Sequence, residues 1–411
     1  MYPNPQDVLP LPPRPDLAQY RKRAKDLVRA CRSGKGDAIR RWAARWIGDL
    51  TALQPNAERS ASAPDLDRLT DQLTQFATDR LAGNRALAQA QFVIARAHGF
   101  VSWPKLAHHL DALAGGNSSV SAFEQAADAI VAGDASRLRR LLRENLELIR
   151  ARSTREHRAT LLHYVSANGV ENYRQKTPPN IVEIARNLLD AGAEVGAEAD
   201  VYGGGATALG LVVTSAHPRA AGVQNELADL LLDRGARLRA GDVRACLMNG
   251  CPEAAEHIAA RGASVDLQEA AGLGRVDAVR RYLEGAPPRE KLIPAVIMAA
   301  WYDRRDVVAL LLDHGLAPGA RDGEGRTALH IAAYEGHAAL AELLVQRGAP
   351  LDVVDDTYGT PPFVWAMHAW LVEKRKRDDD YRAVLRLLAR AGAKVEPEWL
   401  EDERVREAVG S

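Results

Sequence analysis

A stretch of 33 residues recurs along the C-terminal two-thirds of this sequence. In its clearest copy, Gly323 to Asp355, Ala332 and Gly348 each lie 33 residues after an equivalent residue, Ala299 and Gly315. A fixed period of this length is typical of solenoids, in which each short unit packs only against its neighbours. The sequence therefore predicts a stacked array of similar units rather than one globular core.

The residues of the clearest copy predict a pair of helices. Thr327 stands where a hydroxyl can accept a hydrogen bond from a free backbone N–H group at a helix start. The small Ala332 and Ala333 allow two stacked helices to approach closely. Leu343 begins an apolar stripe on the second helix, and Gly348 supplies the left-handed residue that ends it. Only 5% of the residues are aromatic, which also favours helices over sheets.

The run TALHIAAYEG at 327–336, followed by LLVQRGA at 343–349, resembles the ankyrin repeat. This resemblance implies an all-α solenoid of helix pairs joined by short hairpin loops, with a concave recognition face and no catalytic residues. Degenerate copies extend the pattern to about eight repeats over residues 122–396. Three repeats carry insertions between their two helices: Thr160 to Gly192, Thr207 to Gly235 and Thr360 to Gly392. Residues 397–411 are polar and predict a C-terminal capping helix.

Residues 1–114 predict a small helical domain, and the small and polar residues 115–121 predict a linker. This order resembles that of bacterial ankyrin-repeat proteins with an α-helical leader. Between Arg14 and Arg45 there are eleven Lys or Arg residues and three Asp residues. Such an excess of positive charge occurs on nucleic-acid-binding surfaces, but no zinc finger or RNA-binding motif accompanies it. A solvated helix face is therefore the favoured interpretation, and a nucleic-acid partner is not expected.

Charge, cysteine content and hydropathy exclude several functional classes. Lys+Arg and Asp+Glu are both 54, so no overall charge directs the protein to nucleic acid or a membrane. Three cysteines cannot form a disulfide framework, the start does not resemble a signal peptide, and no apolar run reaches 18 residues. These features predict a cytoplasmic protein without a membrane span.

Metal and cofactor chemistry is not expected either. Cys246, Cys251 and His257 are too few to complete a metal site, and buried structural thiols are the favoured interpretation. His163 and His330 each follow a threonine by three residues. The resemblance implies that these histidines hydrogen-bond the backbone of a turn, so they are structural.

The repeat register identifies the side chains that face the concave groove. The predicted partner contacts at these positions are Tyr164, Asn168, Trp301, Tyr302, Tyr334, Glu335 and His368. Large aromatic residues on a solvent-facing groove are typical of interface anchors. Asp355, Asp356 and Glu335 add negative charge at one end of the groove, which favours a peptide with basic character. The leading hypothesis is an interaction scaffold that binds a protein or peptide partner.

The insertions between residues 160 and 225 support a second hypothesis. They contain residues that ankyrin stacking does not require and whose side chains can bind an anion or transfer a proton. The residues of this possible ligand pocket are Tyr164, Tyr173, Arg174, Lys176, Tyr202, Thr214 and His217. The alternative function is thus an enzyme or a small-molecule-binding protein, although a scaffold without bond chemistry remains favoured.

Overall fold

A computed structural model describes residues 3–12, 14–33, 37–52, 63–83, 86–116, 118–375 and 377–410. The chain divides into two compact units, unit 1 (residues 1–238) and unit 2 (residues 239–411), and each is described by itself. Both consist of α-helices. Within the described ranges, strand pairing is limited to β1 (Glu198–Ala199) and β2 (Ala206–Thr207), which are antiparallel. The predicted all-α fold is therefore confirmed.

After a 3-10 helix at Pro5–Asp7, five α-helices among the described residues of unit 1 pack around one core. These helices are α1 (Leu17–Arg32), α2 (Ala38–Ala52), α3 (Ala63–Leu81), α4 (Leu87–Ala97) and α5 (Trp103–Ala114). At the start of α1, an Asp16 carboxylate oxygen accepts a hydrogen bond from the Ala18 N–H group at 2.8 Å. Leu27, Trp46 and Ile94 are among the buried members of the core. The apolar faces of these helices are thereby removed from water.

Several basic side chains of α1 and α2 form ion pairs with aspartates. Arg23 lies 3.3 Å from Asp49, and Arg40 lies 2.9 Å from Asp71, in both cases between carboxylate oxygen and guanidinium nitrogen. Arg40 and both aspartates are at least half exposed at the side chain. Exposed pairs of this kind contribute little to stability. The two aspartates offset part of the positive charge of this basic segment.

The segment predicted as a linker is partly helical. Helix α6 begins at Ser119, and the Ser118 hydroxyl accepts a hydrogen bond from the backbone N–H group of Ser121 at 3.1 Å. Serine is a favourable helix N-cap, so a helix begins within this polar segment. Unit 1 also continues to Leu238, beyond the boundary predicted between the helical domain and the repeats.

The rest of unit 1 contains the first repeats. Its helices are α6 (Ser119–Ala132), α7 (Ala135–Glu144), α8 (Ile181–Asp190), α9 (Ala208–Val213), α10 (Ala216–Ala220) and α11 (Gln224–Asp233), with 3-10 helices at Leu146–Arg150, Leu161–Ser166 and Asn172–Arg174. The 3-10 helix Leu161–Ser166 replaces the first α-helix of its repeat and ends at Ala167, whose φ is 48°. The inserted residues form the 3-10 helix Asn172–Arg174 in this repeat and α10 in the next.

Unit 2 continues the same pattern of paired helices. They are α12 (Asp242–Met248), α13 (Pro252–Ala260), α14 (Leu267–Leu273), α15 (Val276–Glu284), α16 (Arg289–Trp301), α17 (Arg305–Asp313), α18 (Ala328–Glu335), α19 (Ala338–Gln346), α20 (Pro362–Met367), α21 (Asp378–Arg390) and α22 (Glu403–Gly410). A π-helix at His368–Val372 follows α20 and lies in the third insertion, and a 3-10 helix occupies Pro397–Glu401. Val405 and Ala408 of α22 are buried in the core of this unit, which leaves the polar residues of that helix at the chain end exposed.

The two histidines expected to be structural connect consecutive repeats. In α18, the Nδ1 atom of His330 accepts a hydrogen bond from the Thr327 N–H group at 3.1 Å, and its Nε2 atom lies 3.3 Å from the carbonyl oxygen of Thr360. His163 makes the equivalent contacts with Thr160 and, through Nε2, with the Ala206 carbonyl at 3.2 Å. Burial lowers the pKa of His163 to about 4, which keeps the ring neutral. Each ring therefore links one repeat to the next.

Candidate protein-interaction groove

Three neighbouring repeats of unit 2 bring aromatic side chains into one row. Trp301 is the last residue of α16, and Tyr334 lies 33 residues later, near the end of α18. Their ring centroids are 5.9 Å apart with an interplanar angle of 84°. Trp365 of α20 lies 5.6 Å beyond Tyr334, and Tyr358 lies 6.3 Å beyond Trp365. These edge-to-face contacts are a favoured geometry for aromatic pairs, so the row is fixed by its own packing.

The row lines two adjoining cavities, which together are called the groove from here on. One cavity has a volume of about 540 Å³ and is lined by Leu247, Met248, Gly250, Gln268, Pro294, Ile297, Met298, Trp301, Tyr302, Asp322, Glu324, Arg326 and Glu335. The other has a volume of about 440 Å³ and is lined by Trp301, Glu324, Arg326, Tyr334, Thr357, Tyr358, Thr360, Val364, Trp365, His368 and Glu373. Both include Trp301, Glu324 and Arg326, so the groove is continuous across the three repeats.

Five of the seven predicted partner contacts lie on this groove. They are Trp301, Tyr302, Tyr334, Glu335 and His368. The Tyr302 hydroxyl donates a hydrogen bond to the backbone carbonyl of Leu247. His368 is exposed, and its Nε2 atom lies 3.6 Å from a carboxylate oxygen of Glu373. The repeat register alone was sufficient to predict that these five residues lie on one surface.

Carboxylates outnumber guanidinium groups in and around the groove. The carboxylates that line it belong to Asp322, Glu324, Glu335 and Glu373. Arg326 pairs with Asp322 at 2.8 Å and with Glu324 at 2.9 Å, and Arg375 pairs with Glu335 at 2.8 Å and with Glu373 at 2.9 Å. Four negative groups therefore face two positive groups, and the local charge is negative. A partner with positive charge is electrostatically complementary.

One predicted source of this negative charge is buried instead. Asp355 is only 1% exposed. Its carboxylate accepts hydrogen bonds from the N–H groups of Thr357, Tyr358 and Thr360, from the Thr360 hydroxyl and from Trp365 Nε1, at 2.7 to 3.1 Å. Burial alone would raise the pKa of Asp355, but these donors outweigh burial and hold it well below its usual range. Asp355 thus holds the loop and the Trp365 indole in place and does not face a partner.

Asp356, the other predicted source of negative charge, pairs with Arg321 at 2.7 Å and does not line either cavity, whereas Glu324 and Glu373 do. Four residues that line the groove lie outside the predicted set. Trp365, Tyr358, Glu324 and Glu373 were not predicted. Trp365 directly follows Val364, which occupies the register position of the groove, so a wider window around that position would have found it. The other three lie in loops or after the π-helix, where the repeat register gives no position.

The remaining two predicted contacts, Tyr164 and Asn168, belong to unit 1. Tyr164 has no exposed surface, and its hydroxyl donates a hydrogen bond to Glu171 at 3.4 Å. The prediction that Tyr164 faces a solvent-exposed groove is therefore wrong. The tight 3-10 helix in place of an α-helix changes the direction of its side chain relative to the repeat register. Asn168 is half-buried and donates hydrogen bonds to the Leu211 carbonyl and the Thr214 hydroxyl, both at 3.4 Å.

The ligand pocket predicted in the insertions does not have the expected arrangement. Arg174 is buried and pairs with Glu124 at 2.8 Å and with Asp128 at 2.6 Å. The Tyr173 hydroxyl accepts a hydrogen bond from Arg155 at 3.1 Å. Arg155 itself is buried and lies 2.6 Å from Glu124. Tyr164, Tyr173 and Arg174 are thus part of an internal network, which is a correction to their prediction as ligand-binding groups.

The other members of that predicted pocket are separated from this network. The Tyr202 hydroxyl donates a hydrogen bond to Asn168 at 2.7 Å, and Asn168 in turn contacts Thr214. Lys176 and His217 are exposed to solvent. The set therefore divides into buried ion pairs, a short hydrogen-bond chain and two surface side chains. In these repeats, contacts between inserted polar residues replace regular helix packing. This explains why polar residues are so frequent in the inserted segments.

The buried network makes unit 1 sensitive to acid. Burial would raise the pKa of Glu124, but Arg155 and Arg174 outweigh it and lower the pKa from 4.5 to about 2. A folded-state pKa below the unfolded value means that the stabilisation is complete above about pH 5 and is lost as the pH falls toward 2. We expect amide protection in α6 to α8 to decrease over this range in hydrogen-exchange measurements. Unchanged protection there down to pH 2 would contradict this.

Among the residues that the structure describes, no group of three or more His, Cys, Asp or Glu side chains is placed to hold a metal ion. None of their helices is long and apolar enough to cross a membrane. Cys246 and Cys251 are buried, and burial raises the pKa of the Cys246 thiol.

Comparisons with known proteins agree with this architecture. Residues 267–356, which contain α14 to α19, match the family model for ankyrin repeats in three copies. An ankyrin repeat-containing protein from Schizosaccharomyces pombe is 39% identical over 71 residues, or 17% of this chain and 34% of that protein. The match thus spans about a third of the relative. Because this relative comes from a yeast, it does not support the predicted bacterial resemblance. The stacked helix pairs, the Thr–His contacts between repeats and the family-model match together identify residues 267–356 as ankyrin repeats.

Proposed function

We propose that this protein binds an extended segment of a protein partner in the groove of unit 2. Ankyrin repeats are generally protein-interaction modules, and solenoids use extended concave surfaces for recognition. The observation that carries the proposal is the row of Trp301, Tyr334 and Trp365. These rings pack against the core on one side, but they stay partly exposed and line two adjoining cavities. Tryptophan and tyrosine contribute most to binding energy at interfaces, where they bury a large area with few rotatable bonds.

The charge around the row supports a partner with basic character. Glu324 lines both cavities, Glu335 lines one and Glu373 the other. Like charges at an interface suppress wrong partners and opposite charges accelerate encounter, so an acidic groove discriminates against acidic segments. An enzyme or small-molecule function in the insertions of unit 1 is not favoured, because Arg174 and Tyr173 are engaged in ion pairs and hydrogen bonds with protein groups.

A cytoplasmic location is part of the same proposal. The chain has only three cysteines, too few for the disulfide framework of a secreted protein, and such a low cysteine content is usual in the cytoplasm.

Selection from a random peptide library tests the binding function. Peptides of twelve residues selected on the full chain should be enriched in Lys or Arg. Trp301→Ala should weaken their binding by about 30-fold, since removal of a central aromatic anchor costs about 2 kcal/mol. Binding is measured by fluorescence anisotropy, and far-UV circular dichroism checks that the helices remain.

Leu146→Ala provides the matched control, because Leu146 is an 80% exposed apolar side chain in unit 1, away from the groove residues in sequence. Its affinity for the selected peptides should equal that of the unaltered chain. If Trp301→Ala also binds with unchanged affinity, the groove is not the binding site and the proposal fails.

A further inference from the structure

A guanidinium group already occupies a complete binding site at one side of the groove. The Arg375 guanidinium carbon lies 4.1 Å from the centroid of the Tyr334 ring. Its Nη1 atom is 2.8 Å from a Glu335 carboxylate oxygen, and its Nε atom is 2.9 Å from a Glu373 carboxylate oxygen. An aromatic face and two carboxylates are the groups that recognise arginine, because the planar guanidinium stacks and donates hydrogen bonds at the same time.

The groups that hold Arg375 also face the groove. Glu335 lines the first cavity, and Tyr334 and Glu373 line the second. The Tyr334 hydroxyl donates a hydrogen bond to the second carboxylate oxygen of Glu373 at 2.8 Å, which fixes that carboxylate against the ring. Burial and this hydrogen bond raise the pKa of Tyr334 to about 12, so it stays a neutral donor. A guanidinium that entered from the groove would meet the same three groups.

Arg375 comes from a segment that is not part of the repeat pattern. It follows the π-helix His368–Val372 in the third insertion, and Lys374 before it has a φ of 55°. The Arg375 side chain remains 31% exposed. An arginine of the partner that took its place would make the same two ion pairs and the same ring contact, so the exchange leaves neither carboxylate unpaired. Tyr334, Glu335 and Glu373 remain in place.

We propose that the groove recognises an arginine side chain of its partner and that Arg375 fills the arginine site when no partner is bound. This inference rests on the proposed binding function and specifies its chemistry. Arg375 acts as an intramolecular competitor. The apparent affinity for the partner is therefore the intrinsic affinity multiplied by the fraction of molecules in which the site is empty. The incoming segment gains the further contacts with Trp301 and Trp365 that Arg375 does not make. Lysine is a poorer guest because its compact, strongly hydrated ammonium lacks the planar guanidinium that stacks on the ring while it donates to both carboxylates.

Removal of Arg375 tests this directly. The probe is a fluorescein-labelled alanine- and glycine-rich peptide of twelve residues with one central arginine and one leucine on each side. Its matched forms carry lysine or uncharged citrulline at the centre. Arg375→Ala in the full chain should bind the arginine peptide about tenfold more tightly than the unaltered chain does. The citrulline peptide should bind at least tenfold more weakly than the arginine peptide, and the lysine peptide should lie between the two.

Two further variants separate the binding effect from a structural one. Arg377→Ala removes a neighbouring arginine that contacts Asp380 and the Glu335 carbonyl, and it should leave the affinity for all three peptides unchanged. Arg375→Ala combined with Glu335→Gln should lose the tenfold gain. Thermal unfolding followed by circular dichroism shows whether each variant is folded.

Several outcomes would overturn the proposal. They are the absence of tighter binding in folded Arg375→Ala, and equal binding of the arginine and citrulline peptides. If library selection yields peptides without arginine that still require Trp301, the groove binds a partner and only the arginine site is wrong. If no peptide depends on Trp301, the binding function itself fails.

Discussion

Replacement of Arg155 by methionine is expected to lower the free energy of unfolding of unit 1 by about 3–5 kcal/mol. Arg155 is 1% exposed and lies 2.6 Å from Glu124 and 2.9 Å from Glu171, which is itself completely buried. Methionine preserves most of the volume but leaves these carboxylates with less compensating charge. Loss of one partner from a buried ion pair is costly because the other charge stays out of water. Urea unfolding followed by hydrogen exchange in α6 to α8 measures this change for unit 1.

The control for this prediction is an arginine of the same unit in a surface pair. Arg139 lies 2.9 Å from Glu183, with side chains 44% and 52% exposed. Arg139→Met should lower the free energy of unfolding by less than about 1 kcal/mol, because water solvates the remaining carboxylate. Equal effects of Arg155→Met and Arg139→Met would show that the buried network has no special role in the stability of unit 1.

Asp355→Ala is expected to destabilise unit 2 by about 3 kcal/mol. The carboxylate accepts hydrogen bonds from the loop backbone, the Thr360 hydroxyl and the Trp365 indole, and hydrogen bonds to a charged group contribute about 1.5–3 kcal/mol each. Part of this is regained because Thr357 and Tyr358 are exposed residues, so water can reach the loop and bond to its backbone N–H groups. Release of the Trp365 ring should also weaken binding in the groove. Thermal and urea unfolding give the stability, and anisotropy with the selected peptides gives the affinity.

The adjacent aspartate is a close control. Asp356 has a side chain that is 67% exposed, and it pairs with Arg321 on the surface. Asp356→Ala should change the free energy of unfolding by less than about 1 kcal/mol and leave peptide affinity unaltered. If Asp356→Ala proves as damaging as Asp355→Ala, surface charge rather than the buried hydrogen bonds organises this loop.

Local sequence was sufficient wherever the chain follows the repeat. Thr327 and His330 are three residues apart, and that spacing alone places the ring over the turn and toward the next repeat. Trp301 and Tyr334 are one period apart, so stacking of like units brings them together. Gly336, with a φ of 70°, ends α18 because a left-handed residue is needed there. These features depend on contacts within a repeat or between adjacent repeats, which a periodic sequence specifies.

In the insertions, the repeat period does not specify the direction of a side chain. Tyr164 stands at a groove position by register, yet the 3-10 helix Leu161–Ser166 buries it beside Glu171. Arg174 and Lys176 are two residues apart in the same inserted segment, but one is buried in ion pairs and the other is exposed. Asp355 and Asp356 are sequence neighbours with opposite environments. The direction of a side chain outside the repeat pattern depends on which distant charges and donors surround it.

By itself the sequence determined the helical repeats of this protein, the residues that end and cap their helices, and five of the residues that line the groove. Only the tertiary structure decided that Tyr164 and Arg174 belong to a buried network and that Arg375 lies on Tyr334 between two carboxylates. The physical reason is the range of the interactions. Capping and register act over one turn or one repeat, whereas the ion pair between Arg375 and Glu335 joins residues 40 positions apart through an insertion of irregular conformation.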